Sequence, residues 1–230
     1  TVPDSHPNNL GMPGMHGTVP AVAALQRADL IVALGARFDD RVTGKLAAFA
    51  PNAKIVHVDI DPAEISKNRE ADVPIVGDLK ITAADLVEEL ANAHEQYGKP
   101  DLTAWWQQLN HLRETYPNGW SETTDGLMSP QYVISRLQEV VGSDDVIWVT
   151  GVGQHQMWAT QFLKFEHPRQ WISSGGAGTM GFGVPAAMGA KASLRGIKDT
   201  NGHPLYKSDM QGTTPYALDG APIYFPENGS

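Results

Sequence analysis

The 230-residue chain is 41% apolar, has no cysteine, and carries a formal charge of −9 from 17 basic and 26 acidic side chains. This composition suits buried cores and excludes a disulfide framework, a zinc–thiolate site and the basic stripe of a nucleic-acid-binding face. With no signal peptide or long apolar run in the sequence, the expectation is a cytoplasmic protein whose partners are small molecules or other proteins, with neither nucleic acid nor membrane among them.

The first 20 residues hold four prolines and three glycines, which predicts loop, as in a chain cut from something longer. Within them, GMPGMHG at 11–17 could line an aromatic ring while its amides approach it, although a plain flexible loop is favoured on local grounds. Ala21 to Ala28 reads as helix and DLIVALG at 29–35 as a buried strand. RFDDRV follows, with Arg37, Asp39, Asp40 and Arg41 placed either to meet an anionic ligand or to form a solvated ion-pair cluster, the second being favoured. KIVHVDID at 54–61 is the next strand, and Pro62 starts a helix over Ala63 to Asn68. Asp59 or Asp61 could accept ribose hydroxyls or could simply end the strand; spacing leaves both open, and no full GxGxxG is present.

IVGDLK at 75–80 predicts a third strand, and the run from Ile81 a helix with Leu86, Leu90 and Ala93 on one face, stopped by Gly98 and Pro100. A further helix over 102–116 ends before Pro117. Ser129 and Pro130 then open a helix as N-cap and first residue. This helix leads to a strand at Val146 to Val149 and into Gly151, Gly153, Gln154 and His155. A second apolar strand follows, then a loop with five glycines in nine residues over 175–183, then the helix-like VPAAMGAK. Two strand–glycine loop–helix units in succession suit a phosphate or a flat cofactor at the carboxyl ends of their strands. No HExxH, carboxylate cluster or Ser–His–carboxylate triad supports a metal or hydrolytic site in residues 1–191. Trp148, Trp158 and Trp171 read as core. Past Lys191 the chain turns to NG and DG turn signals around short runs such as APIYF, which predicts turns and extended segments and a boundary near residue 192.

Taken together, LGMPGMHGTVPA, ADLIVALGARFDDRVTGKLAAFAP, KIVHVDIDPAEISKN, GVGQHQMWATQF and PRQWISSGGAGTMGFGVPAAMGA resemble the catalytic large subunit of acetohydroxyacid (acetolactate) synthase over about residues 1–191. The resemblance implies an α/β fold. Residues 1–98 would be the later part of a Rossmann-like FAD domain, 99–128 a connector, and 129–191 the start of a thiamin-diphosphate domain. It implies condensation of two pyruvates to 2-acetolactate and CO2 in branched-chain amino acid synthesis, with thiamin diphosphate, Mg2+ and a structural FAD. The implied partners are 2-keto acids, a homodimer or higher oligomer, and a regulatory small subunit. Met15, His16, Gly17, Gly35 and Arg37 would contact FAD, and Asp59, Ile60, Gly77 and Asp78 its ribityl and adenosine portions. Val152, Gly153, Gln154 and His155 would meet the diphosphate end of thiamin diphosphate, Gly178 and Met180 its aminopyrimidine. Asp40 and Arg41 would lie at a substrate channel near the subunit interface.

Against the family pattern, the GDG and downstream asparagine that bind Mg2+ do not follow AAMGAK, LDG at 218–220 has the wrong flanks, and the glutamate-bearing first domain is not in the sequence. The expectation is an inactive chain. Residues 192–230 are similar to a carboxyl-end segment of tailed-phage major capsid proteins, which makes a capsid-related protein or a chimera one alternative and an FAD- or nucleotide-binding module without catalysis another.

Overall fold

The computed structural model describes residues 2–142 and 146–196 of the chain. These form two compact units, residues 10–117 in one and residues 2–9 with the chain from 118 onward in the other.

In the first unit Pro20, just inside helix α1 (Val19–Arg27), and the Thr18 hydroxyl, which accepts from the Ala21 amide at 3.2 Å, fix the helix start. Strands β1 (Leu30–Leu34), β2 (Lys54–Asp59) and β3 (Val73–Val76) form a parallel sheet in that order, with Ile31 opposite Ile55 and His57 opposite Pro74. Alternation along β1 sends Ile31 and Ala33 into a core with Phe38, Phe49, Ala50, Ala53 and Ile55, against which Leu25 of α1 packs. Its other face leaves Leu30, Val32 and Leu34 exposed. A short helix α2 (Asp40–Thr43) and a single 3₁₀ turn (Leu46–Ala48), neither anticipated from sequence, join β1 to β2.

Three expectations shift here. The helix over Ala63 to Asn68 is absent. Asp61 and Ala63 amides donate to Asp59 Oδ1 and Asp61 Oδ1, both at 2.9 Å, and Ser66 sits at φ 58°, a left-handed geometry a helix cannot continue through. The third strand ends at Val76 rather than running to residue 80, because Asp78 accepts from the Lys80 amide at 2.8 Å and so caps helix α3 (Leu79–Tyr97). On α3, Leu86 and Ala93 are half-buried while Leu90 is exposed. Helix α4 (Thr103–Thr115) buries Leu109 and packs on α1.

The second unit opens as expected, with the Ser129 hydroxyl accepting from the Tyr132 amide at 3.2 Å at the head of helix α5 (Pro130–Val141). The short strands β4 (Trp148–Val149) and β5 (Trp171–Ile172) pair in parallel, and helices α6 (Gln154–Phe162) and α7 (Gly183–Gly196) follow them. Trp148 packs with Ile134, Ala159 and Leu163, whereas the next residue, Val149, packs with Ala187 and Ala190, so alternation places helices on both faces of the strand. Trp158 and Trp171 join the first of these clusters, as expected of core residues.

Residues 2–9 are fastened to this unit across most of the sequence. Asp4 N–H donates to the Phe165 carbonyl at 3.0 Å, Phe165 N–H donates to Asp4 Oδ2 at 2.8 Å, and the Ser5 hydroxyl donates to Glu166 at 2.6 Å. Among the described residues no helix is long and apolar enough to cross a membrane. The boundary expected near residue 192 is not observed, because α7 continues through it to Gly196; the rest of the turns and extended segments expected past Lys191 lie outside the described residues.

Candidate functional site

Two groups of residues stand out, one in each unit. In the second unit, β4 and β5 run side by side and each ends in a glycine loop. The ladder continues one residue past the strands, with Thr150 N–H donating to the Ile172 carbonyl at 3.1 Å. There the Thr150 and Ser173 hydroxyls meet at 2.8 Å, and Gln156 Nε2 donates to Ser173 Oγ at 2.6 Å.

Gly153, at φ 151°, begins α6 without a side-chain cap, leaving the amino end of the helix to attract negative charge. The His155 ring lies over Gly151 and Gly153, so that a Cβ on Gly151 would stand 3.4 Å from His155 Nε2. That nitrogen is buried and has no hydrogen-bond partner. Gln154 beside it is exposed.

The second loop turns on Gly178 (φ 62°) and Gly181 (φ 83°) and is stitched locally by Gly178 and Thr179 amides donating to the Ser174 carbonyl and hydroxyl at 3.2 and 3.0 Å. A Cβ on Gly178 would reach Val152 at 4.0 Å, which places the two loops together, whereas one on Gly175, Gly176 or Gly181 would meet nothing within 4 Å. Met180 is 85% exposed. The structure therefore brings Val152, Gly153, His155 and Gly178 together, with an orphaned imidazole nitrogen, an uncapped helix end and open space beside Gly175, Gly176 and Gly181 of the second loop. These features fit a ligand with an anionic end and a flat ring.

In the first unit, Gly35, Ile60 and Gly77 follow β1, β2 and β3 and so share the carboxyl edge of one parallel sheet, where open α/β sheets bind ligands. Gly35 (φ 66°) donates to the Val58 carbonyl at 2.8 Å, Ile60 is 70% exposed, and Gly77 donates to the Asp59 carbonyl at 3.0 Å. The buried His57 donates from Nε2 to the Ala36 carbonyl at 2.8 Å and meets Phe38 edge-on. Asp59 and Asp78 each accept from an amide two residues on, Asp61 N–H at 2.9 Å and Lys80 N–H at 2.8 Å.

The 11–17 loop is folded on itself and on the backbone of α2. Met15 N–H donates to the Arg41 carbonyl at 2.8 Å, a Cβ on Gly14 would stand 2.5 Å from that same oxygen, and one on Gly17 would stand 2.3 Å from the Met12 carbonyl. The loop's own turns thus bring Met15, half-buried His16 and Gly17 to the Asp40–Arg41 segment, with Arg41 Nη1 3.8 Å from Met15 Sδ. Arg37 and Asp39 form an exposed pair at 3.6 Å, and Asp39 also caps α2 by accepting from the Arg41 amide at 3.0 Å. Asp40 and Arg41 are exposed.

Sequence reading missed Thr150, Ser173, Gln156 and Gly183. The available signal was a hydroxyl residue immediately after each strand, directly before a glycine loop.

Comparison with known proteins fits this division. Residues 1–86 match the model of the thiamine pyrophosphate enzyme central domain, and residues 151–204 match that of the C-terminal TPP-binding domain. The chain belongs to the thiamine pyrophosphate enzyme family. Within it the chain is 55% identical to the acetolactate synthase of Mycobacterium bovis over 223 residues, which are 96% of this chain and 36% of that protein. It is 49% identical to the acetolactate synthase large subunit of Corynebacterium glutamicum over 97% of this chain and 36% of that one, and 44% identical to chloroplastic acetolactate synthase 1 of Zea mays over 96% and 34%. The chain is thus homologous to the acetolactate synthase large subunit and spans about a third of the length of the relatives it matches. The likeness of residues 192–230 to a phage capsid segment finds no support in these matches, which run past Lys191: the TPP-binding model continues to residue 204.

Proposed function

We propose that the chain forms part of an acetolactate synthase large subunit that joins two 2-keto acids, two pyruvates giving 2-acetolactate and CO2. What carries the reading is the cradle at the ends of β4 and β5, which lies within a stretch homologous to that enzyme. Thiamin diphosphate, when bound, supplies the electron sink that decarboxylating and joining keto acids requires.

The chain's own residues bind and orient. Val152, Gly153, Gln154 and His155 hold the diphosphate end, the orphaned His155 Nε2 gaining a partner there. Gly178 and Met180 line the aminopyrimidine, and exposed Met180 is covered when the cofactor seats. In the other unit, Met15, His16, Gly17, Gly35 and Arg37 contact FAD, with Asp59, Ile60, Gly77 and Asp78 at its ribityl and adenosine portions. The shared sheet edge and the open Gly35, where a Cβ would meet only Leu79 at 3.9 Å, support a close backbone approach. Asp40 and Arg41 face the keto-acid substrate.

The carboligation itself is assigned to the assembled enzyme, a homodimer or larger, with Mg2+ and a regulatory small subunit. Calorimetric titration of the 230-residue chain with thiamin diphosphate and, separately, FAD tests the reading. Saturable binding of each without acetolactate formation is the expected result. FAD binding without thiamin diphosphate binding would instead mark a flavin module, and binding of neither would overturn the proposal.

A further inference from the structure

The two glycine loops of the cradle are unusually free: Gly151, Gly153, Gly175, Gly176, Gly178 and Gly181 give them a backbone with little intrinsic preference for one shape. A ligand gripped at both ends needs the loops at a fixed separation, so something must set it. Few contacts cross between them. A Cβ added at Gly178 would only just reach Val152, and one added at Gly183 would run into the Gly151 backbone, so the loops lie close at that point. Among the described residues, the side-chain hydrogen bonds that cross are those joining Thr150, Ser173 and Gln156.

Their placement is particular. Thr150 is 1% exposed and closes β4, and Ser173 closes β5 opposite it. Gln156 is the third residue of α6, where a glutamine commonly turns back to the N-cap amide. Here its amide is committed instead to Ser173 Oγ at 2.6 Å. One serine oxygen therefore ties the strand before the first loop, the helix after it and the start of the second loop.

We propose that Thr150, Ser173 and Gln156 are positioning residues that set the spacing between the diphosphate-binding and aminopyrimidine-lining loops. This inference rests on the thiamin diphosphate reading for its ligand, though not for its geometry. On this proposal the three act through the loops, their side-chain hydrogen bonds being made to one another.

The test compares wild type with Gln156→Met and Ser173→Ala, and uses Ser173→Thr, which keeps a hydroxyl, as the rescue. Ligands are thiamin diphosphate, which spans both loops, and inorganic pyrophosphate, which engages only the first. The expected result is an affinity for thiamin diphosphate lowered about tenfold, the scale of one hydrogen bond, with pyrophosphate affinity changed less than twofold and the Ser173→Thr variant near wild type. A merely structural role would weaken both ligands alike, and that outcome, or unchanged binding of both, overturns the proposal.

Hydrogen exchange supplies a readout without ligand. The amides of 151–155 and 174–181 should exchange faster in both broken variants while those of α5 do not. Unchanged loop exchange refutes the positioning role. Faster loop exchange in a chain whose wild type binds no thiamin diphosphate refutes the ligand reading while leaving the positioning role standing.

Discussion

Helix α7 offers the same substitution at two sites with opposite expected signs. A Cβ on Gly183 would lie 2.8 Å from the Gly151 nitrogen and 3.2 Å from both Gly151 Cα and the Thr150 carbonyl carbon. All three are backbone atoms at the end of a strand, so no rotamer change relieves them. Overpacking of this kind costs about 1–3 kcal/mol, and the helix preference for alanine over glycine returns about 0.5–1 kcal/mol. Gly183→Ala should therefore lose up to about 2.5 kcal/mol. A Cβ on Gly189, exposed in the middle of the same helix, would meet nothing within 4 Å, and Gly189→Ala should gain about 0.5–1 kcal/mol. Because the chain has two compact units, a global melting curve would mix their transitions. Urea titration followed by hydrogen exchange of peptides from 130–191 reports the relevant unit alone. Equal stability changes at the two positions, or a Gly183→Ala midpoint at or above wild type, would refute the argument from backbone contact.

Thr18 both caps α1 and donates to the Leu10 carbonyl at 2.5 Å, so Thr18→Ala should cost the first unit about 1–2 kcal/mol by urea unfolding, with Thr18→Ser retaining most of it. Asp72 Oδ2 accepts from the Ile55 amide at 2.8 Å, and Ile55 is fully buried; Asp72→Ala should destabilise by about 1–3 kcal/mol, and a neutral result in the same assay would show that water replaces the carboxylate. The Asp101 carboxyl is held below its ordinary pKa by the Thr103 side chain and then by the Thr103 amide, which donates to it at 2.9 Å. A depressed folded-state pKa means that this contribution to α4 is present above the ordinary carboxylate value and is lost as pH falls through the folded one. Carboxyl NMR should place the Asp101 midpoint below the ordinary aspartate value, and Thr103→Ala should move it up.

Much of the framework is local, and local features were legible. Ser129–Pro130 starts a helix by its own chemistry, and the apolar runs of β1 and β2 were long enough to mark strands, although β1 buries only one face rather than both. The turn over 61–70 was not, because Pro62 followed by Ala and Glu has helical preference while two aspartate side chains and a left-handed Ser66 decide otherwise. The reading of 11–17 as slack loop failed for a related reason: what fixes Gly14 and Gly17 is the closeness of the Arg41 and Met12 carbonyls, and composition does not report distance. At the site, motif order located both loops, whereas the hydroxyl pair that joins them links residues 23 apart in sequence through strand register, which emerges only once β4 and β5 are paired.

The fastening of Asp4 and Ser5 to Phe165 and Glu166 also fixes an order of assembly. Residues 10–117 form a unit that is continuous in sequence. The segment at 2–9 emerges from the ribosome before any of them, yet the residues that receive it are made roughly 50 positions after Pro117, about 2.5–10 s later at ~5–20 residues per second. Throughout that interval the segment at 2–9 lacks the partners it has in the folded unit and is available to chaperones and proteases. Nascent-chain proteolysis should therefore cut within 2–9 until Glu166 has emerged and sharply less afterwards.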